Sequence, residues 1–358
     1  MDQPALTAPF VHHGRTGAIV RVALVNLLLN IVTFSIWRFW GKTRVRRALW
    51  AGTSAWGDPA EYTGTGGELF LGFIVIMVAV YSPIMVAMTA AQIAMTAGNP
   101  IGTLVVLLLL LLVFVLAAAG LYRARRYQLS RTVWRGIRGG QGGNAIHYGL
   151  LYLGVTLVVM LSLGWALPWA EMQLACYRMD NTTFGDARFT CNARAKPLYK
   201  RYAVLWVAGL VFFAGIGLGI AGIVEAYDPE NEEDLALMIL GLYGLAIPWS
   251  LLTLGVPMAW YRAGFFRELA AHTRFDGIGF ALEATTGGLI RLALGNWFIS
   301  VLSLGILRPW AAVRTFRYAC NHLRMEAEPN WERVHQNQAE LARTGEGLAA
   351  VFEGAGEF

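Results

Sequence analysis

The segment Leu289–Arg317, which ends SLGILRPWAAVRTFR, decides how this chain of 358 residues is read. An apolar run is broken at Ser-Leu-Gly and followed by Trp310 and a basic helix start. The same order occurs at Ile19–Arg47, ending TFSIWRFWGKTRVRR, and at Ala145–Arg178, ending SLGWALPWAEMQLACYR. Sliding Phe10–Arg47 by 270 positions onto Phe280–Arg317 gives 12 identities in 38 residues. They include Arg21/Arg291, Asn26/Asn296, Arg38/Arg308, Trp40/Trp310, Arg44/Arg314 and Arg47/Arg317. Unrelated apolar helices share Leu and Val by chance, but not four arginines, an asparagine and a tryptophan in register, so the chain reads as an internal repeat. The middle copy keeps Pro168 and Trp169 but has Leu150 and Val155 where the outer copies have Arg and Asn.

Mean hydropathy is +0.49. Only 15% of residues are charged, against roughly 25% in soluble chains. Several apolar runs approach the ~20 residues that cross a hydrocarbon core as helix. A polytopic α-helical membrane protein follows. The start MDQPALTAPFVHHGRTG shows neither the basic region nor the apolar stretch of a cleaved signal, so insertion is expected from internal spans. The net charge of +6 sits beside the spans, where it is first a topology signal and then a lipid contact. Nucleic acid is not needed to explain it. Cys176, Cys191 and Cys320 lack CxxC or metal spacing and are expected as free cytoplasmic thiols.

Each copy adjoins an aromatic stretch with a Gly-Asp or Asp-Gly pair: TSAWGDPAEYTGTGGE, NTTFGDARFTCNA and TRFDGIGFALEATTGG. These read as small cytoplasmic β-hairpins, because positive φ is cheap for Gly and tolerated by Asp. The repeated block, the run Tyr62–Phe70 and the tail GEGLAAVFEGAGEF together resemble the YjgN-like family of bacterial inner-membrane proteins, a domain of unknown function, along nearly the whole chain. The first copy departs from the pattern, with Phe39 where the others have Pro. The resemblance implies an inner-membrane location and supplies no activity.

Apolar segments lie at 18–37, 69–96, 101–121, 145–168, 203–224, 235–257 and 289–307. Seven crossings would put two basic loops, 122–144 and 170–202, on opposite faces and the acidic linker 225–234 inside, against the positive-inside rule. The conflict disappears if 69–96, 101–121, 203–224 and 235–257 cross and the three repeated segments are re-entrant or half-inserted. The expected fold is therefore all-α, with four full spans, three such segments and both termini cytoplasmic. One membrane domain covers 1–325, with repeat blocks at 10–68, 127–202 and 275–325, followed by a cytoplasmic tail at 326–358. In that tail WERVHQNQAELAR reads as a capped helix.

Arg21, Arg38, Arg291 and Arg308 lie near the ends of the inserting segments, where Arg snorkels to lipid phosphate or lines an anion or cavity site. Asn26 and Asn296 are deeper and suited to hydrogen-bonding backbone at the bend. Trp40, Trp169 and Trp310 fit interface anchors. No carboxylate lies inside an apolar segment, which argues against ion-coupled transport through an embedded acid. The histidines have no ligand spacing, and GTGGE at 64–68 lacks the Lys-Ser/Thr of a phosphate loop, so no cofactor, metal or enzyme activity is expected. Two functions remain: a passive channel or uncoupled small-solute transporter rimmed by the four arginines, or a structural, lipid-organising protein using them on anionic headgroups. Self-association is compatible with both.

Overall fold

The computed structural model describes residues 6–14, 16–226, 240–241, 244 and 249–336. Its strands are set by two-residue turns. Trp56-Gly57, Arg135-Gly136 and Asp276-Gly277 each hold two consecutive residues at positive φ, which matches a hairpin turn to the twist of its strands. The resulting hairpins are β2 (Thr53–Ala55) with β3 (Asp58–Tyr62), β4 (Thr132–Trp134) with β5 (Ile137–Gln141), and β8 (Thr273–Phe275) with β9 (Ile278–Leu282). A fourth, β6 (Thr182–Phe184) with β7 (Ala187–Cys191), turns at Gly185-Asp186.

The hairpins do not stand apart. Tyr62 pairs with Thr132, Gln141 with Thr182 and Cys191 with Thr273. Strand β1 (Phe10–His12) adds to β2, and β10 (Leu323–Met325) adds to β9. The result is one antiparallel sheet of ten strands in chain order. Thr7, three residues before β1, donates its N–H to the Met325 carbonyl at 2.9 Å and accepts from Met325 N–H at 3.1 Å, an isolated bridge that joins the two ends of the sheet into a near-barrel.

Helices fill the intervals between odd and even strands: α1 (Thr16–Val32) and α2 (Arg38–Ala51); α3 (Gly66–Ile76), α4 (Ser82–Thr96) and α5 (Pro100–Ser130); α6 (Ala145–Leu161) and α7 (Leu167–Asp180); α8 (Tyr199–Ala226) and α9 (Val256–Ala271); α10 (Thr286–Leu302) and α11 (Arg308–His322). Every excursion starts and finishes on the sheet. At four of the returns a threonine opens the next strand and its hydroxyl donates to the carbonyl four residues back: Thr53 to Leu49, Thr132 to Gln128, Thr182 to Arg178, Thr273 to Leu269, at 2.6–2.9 Å. Each satisfies one of the carbonyls that a helix end leaves without an intrahelical partner.

The Ser/Thr-Leu-Gly break is a hydroxyl-pinned reversal. Thr33, Ser162 and Ser303 donate to the carbonyls of Leu29, Val159 and Ile299, and accept from the N–H groups of Trp37, Ala166 and Leu307. Leu163-Gly164 and Leu304-Gly305 take positive φ; in the first break Phe34 and Ser35 do so. Ser35 thus occupies the left-handed position that glycine fills at lower cost elsewhere.

The structure corrects the expected fold. The chain is not all-α with isolated β elements, because a ten-stranded sheet gathers every excursion. Nor are there four full spans beside three re-entrant segments. Among the described residues three helices are long and apolar enough to cross a membrane: Gly66–Thr96, Pro100–Ser130 and Lys196–Gly222. Most of the expected span 235–257 and of the acidic linker lies outside the described residues. The stretch Gly17–Val32 and helices Ala145–Leu161 and Thr286–Leu302 are shorter apolar helices. On Pro100–Ser130, Leu104, Leu107, Leu108, Leu110 and Leu111 are all exposed, an arrangement suited to lipid rather than water as solvent.

After β10 the chain crosses the turn end of the sheet. Trp331 packs on Trp134, Phe184 and Phe275 at ring distances of 4.6–6.2 Å. His335 N–H donates to the Asp186 carboxylate, and its carbonyl accepts from Asp186 N–H. The expected helix here is a single 3₁₀ turn, Trp331–Arg333; residues from 337 onward lie outside the described set.

Ring closure can be tested. Thr7→Pro removes the N–H that Met325 accepts and should cost about 1 kcal/mol, read as a lower unfolding midpoint in detergent; an unchanged midpoint would count against closure. His12, on β1, bonds Thr53 Oγ1 at 2.8 Å. Burial, then Arg317, then His13 hold its imidazole below the ordinary 6.5. The folded state thus disfavours the imidazolium, so this contribution to stability is present above pH ~6.5 and lost as pH falls. His12→Gln should flatten that part of the pH–stability curve.

Candidate functional site

The four paired arginines do not converge. Arg21 is an exposed residue near the sheet-proximal end of α1, while Arg38 opens α2 at the far end. Eleven residues of helix from Arg21 to Val32 separate them by roughly 16 Å along the axis. Arg291 and Arg308 are exposed in the corresponding places on α10 and α11. The Arg38 guanidinium lies over the rings of Phe39 and Phe73, at 4.9 and 5.1 Å.

The asparagines clamp helix to helix. Asn26 is buried; its amide donates to the Gly41 carbonyl at 3.2 Å, and its oxygen accepts from Trp37 Nε1 at 3.3 Å. Asn296 donates to the Ala311 carbonyl at 3.4 Å and to Thr315 Oγ1 at 3.0 Å. Trp40 stacks on Trp37 and tilts against Phe70, and Trp310 is half-buried on α11. Of the nine residues, Trp169 alone lines a pocket beside α7.

That pocket, about 300 Å³, lies between α7 and the connection from β7 into α8. Trp169, Met172 and Gln173 form one wall; Ala193, Arg194, Ala195 and Lys196 form the other, and Tyr199 closes one side. Beneath it Met172, Leu198, Tyr202, Leu205, Tyr261 and Phe265 make a packed apolar core, so the walls stand on a rigid base. Arg194 and Lys196 are exposed and form no ion pair among the described residues. Both acids on the pocket helix are already taken: Asp180 accepts from Cys191 N–H at 2.6 Å, and Glu171 is held by two partners. It accepts from the Tyr261 hydroxyl at 2.7 Å and pairs with Arg262 at 3.1 Å. Burial first, and the Glu171 charge second, push the Tyr261 phenol above its ordinary range, which keeps it a proton donor. The pocket therefore combines two free cations, an amide and two aromatic rings, a chemistry that fits an anion carried on an apolar or amphipathic body.

The expected free thiols are corrected here. Cys176 on α7 and Cys191 at the end of β7 are bonded to each other; Cys320 is free and buried, and its burial raises the thiol's pKa. No spacing rule pairs two cysteines 15 positions apart across a helix end and a hairpin; the sheet brings them together. Sequence reasoning also missed Gln173, Arg194, Lys196 and Tyr199 as one group. The six cationic residues of 170–202 had already marked the region as basic.

A second polar cluster sits at the start of the first long excursion. Glu68 accepts from the Tyr127 hydroxyl and pairs with Arg131 at 2.9 Å. Among the described residues no group of His, Cys, Asp and Glu could hold a metal ion.

The asparagine clamps differ in burial, and that difference is measurable. Asn26→Ala leaves a carbonyl and an indole N–H without partners and should cost about 1–3 kcal/mol. Asn296→Ala, at a half-buried site where water can substitute, should cost less. Equal losses in thermal unfolding would contradict this assignment.

A family model for bacterial proteins of unknown function, DUF898, matches residues 7–351. The inner membrane protein YjgN of Escherichia coli O157:H7 is 30% identical over 139 residues, which is 38% of this chain and 31% of that protein. The protein of the same name from Escherichia coli strain K12 is 29% identical over 138 residues, again 38% and 31%. The aligned part thus spans about a third of the length of these relatives. No solved structure matches. Both relatives are named as inner membrane proteins, and among its described residues this chain carries three helices able to cross a membrane by length and composition. With the family model matched along nearly its whole length, the chain belongs to the YjgN-like DUF898 family of bacterial proteins.

Proposed function

We propose that this protein is a multi-pass protein of the bacterial inner membrane with a structural, lipid-organising role, and that the α7–α8 pocket binds anionic headgroups. One observation carries the reading. Lys196, in the pocket wall, is also the first residue of the apolar stretch Lys196–Gly222. Two unpaired cations and two aromatic rings therefore gather where a span would leave the hydrocarbon, the depth at which Lys/Arg meet phosphate and Trp/Tyr anchor. Thr7 and Met325 pair on the sheet, which supports both ends lying on one side; the basic segment 170–202 supports that side being cytoplasmic. The five excursions are read as copies of one ancestral unit.

The channel reading has less to stand on. It rested on a rim of Arg21, Arg38, Arg291 and Arg308, and the helical hairpins hold Arg21 and Arg38 at opposite ends of one hairpin and Arg291 and Arg308 at opposite ends of another. No enzymatic role is proposed.

The test uses the purified full-length chain and phosphatidylcholine vesicles with or without phosphatidylglycerol. Arg194→Ala with Lys196→Ala removes two cations, each worth about 1 kcal/mol at an anionic surface, and should weaken preference for phosphatidylglycerol roughly thirtyfold. Rising salt should shrink the same preference in the unaltered protein. Undiminished preference in the double variant would refute the site; solute flux abolished by substituting the paired arginines would restore the channel.

A further inference from the structure

We propose that the Cys176–Cys191 bond is a redox latch that holds the anion pocket in its binding shape; this rests on the headgroup reading above. The two sulfurs tie the pocket's walls at their common base. Cys176 lies one helical turn beyond Gln173 on α7, and Cys191 is two residues before Ala193. The opposite wall, Ala193–Lys196, is otherwise held at its ends and by Ala193 and Ala195 packing on the apolar core. Asn192 N–H donates to the His272 carbonyl at 3.0 Å, and Leu198 is buried in the core. Beside the bond, Cys191 N–H donates to the Asp180 carboxylate at the end of α7 at 2.6 Å; from Asn192 to Leu198 no hydrogen bond to α7 is found among the described residues, and the S–S bond adds a covalent tie at the wall's foot.

Comparison with the other return helices shows what the bond replaces. Six residues before the strand that follows each of the other return helices stands an arginine: Arg47, Arg126, Arg267 and Arg317. Three of these guanidiniums donate to a carbonyl in the connection leaving a strand packed on their own helix, Arg47 to Gly64 at 2.8 Å, Arg126 to Gly142 at 2.7 Å and Arg317 to Gly14 at 2.7 Å, while Arg267 donates to Ala263 of its own helix at 3.0 Å. On α7 the same position, six before Thr182, is Cys176. A permanently charged latch is thus exchanged for one that a reductant can open, and only beside the pocket. Disulfides in a reducing compartment are mostly transient and redox-sensing, which matches the side of the membrane assigned to this segment.

The opening step needs a dithiol reductant. One thiolate attacks a sulfur of the pair, forming a mixed disulfide and releasing the other cysteine as thiolate; the second thiol then resolves the mixed disulfide. The chain's S–S bond takes up two electrons and two protons to become two thiols, and the dithiol is oxidised to a disulfide. Cys176 is half-buried rather than enclosed, so an attacking thiolate has a route to it.

The experiment measures binding of the full-length protein in detergent to phosphatidylglycerol-containing vesicles before reduction with dithiothreitol, after reduction, and after reoxidation, with alkylation and mass determination to count free thiols. Reduction should weaken binding about tenfold, the factor expected if the freed wall is in place about a tenth of the time, and reoxidation should restore it. Cys176→Ser with Cys191→Ser should bind like the reduced protein under both conditions. Equal binding in the oxidised and reduced states overturns the latch, as does a reductant effect that persists in the double serine variant. If Arg194→Ala with Lys196→Ala abolishes the preference while reduction leaves it intact, the pocket stands and the latch falls; if neither treatment matters, both fall.

Discussion

Short strands cannot satisfy their own backbone. The ten strands here have only three to five residues each, too few to be stable as isolated hairpins in water. Every N–H and C=O on their edges must find a neighbour, and the neighbours come from other excursions, up to the pairing of Thr7 with Met325 across the length of the chain. That closure is the constraint on which everything else rests. It joins the two ends of the sheet by one bridge, Thr7 with Met325, and it obliges each helical excursion to leave from and return to one platform. The chain's helices are thereby tied at their ends before any lipid is considered.

The junctions between platform and helices use a few cheap devices in the same places. At four of the five returns a threonine hydroxyl ends the helix, at three an arginine reaches a carbonyl of a connection, and three of the four hairpins fold at an X-Gly turn. Each contributes little alone, on the order of 1 kcal/mol, but together they fix where a helix stops to within a residue. The far ends of the short hairpins use a hydroxyl and a left-handed residue, with the asparagine clamp holding the two helices of the outer hairpins side by side. Where a device is exchanged, as at Cys176, the local chemistry changes while the geometry is kept.

The pocket follows from the same logic. Its walls belong to two different excursions joined by β7, and its charge survives because Glu171 is occupied by Tyr261 and Arg262. Two exposed cations and two aromatic rings thus stand together at the foot of an apolar helix. The platform supplies the rigidity and the span supplies the depth.

From sequence alone, several features were legible because they are local. Hydropathy revealed a membrane-adapted chain; the Ser/Thr-Leu-Gly and Asn-to-bend spacing marked the hairpins; Asp-Gly and Gly-Asp pairs marked three of the four β-turns. The fourth, in TVWRGIRGGQ, carries no alternation and was absorbed into a basic loop. Only the tertiary structure decided that the strands join, that Arg21 lies apart from Arg38 and Arg291 from Arg308, that Cys176 meets Cys191, and that Trp169 shares a pocket with Arg194 and Lys196. Each of these depends on pairings between residues distant in the chain, where strands of three residues leave no periodic trace. The sequence determined the elements and their solvent; the sheet's closure determined their neighbours.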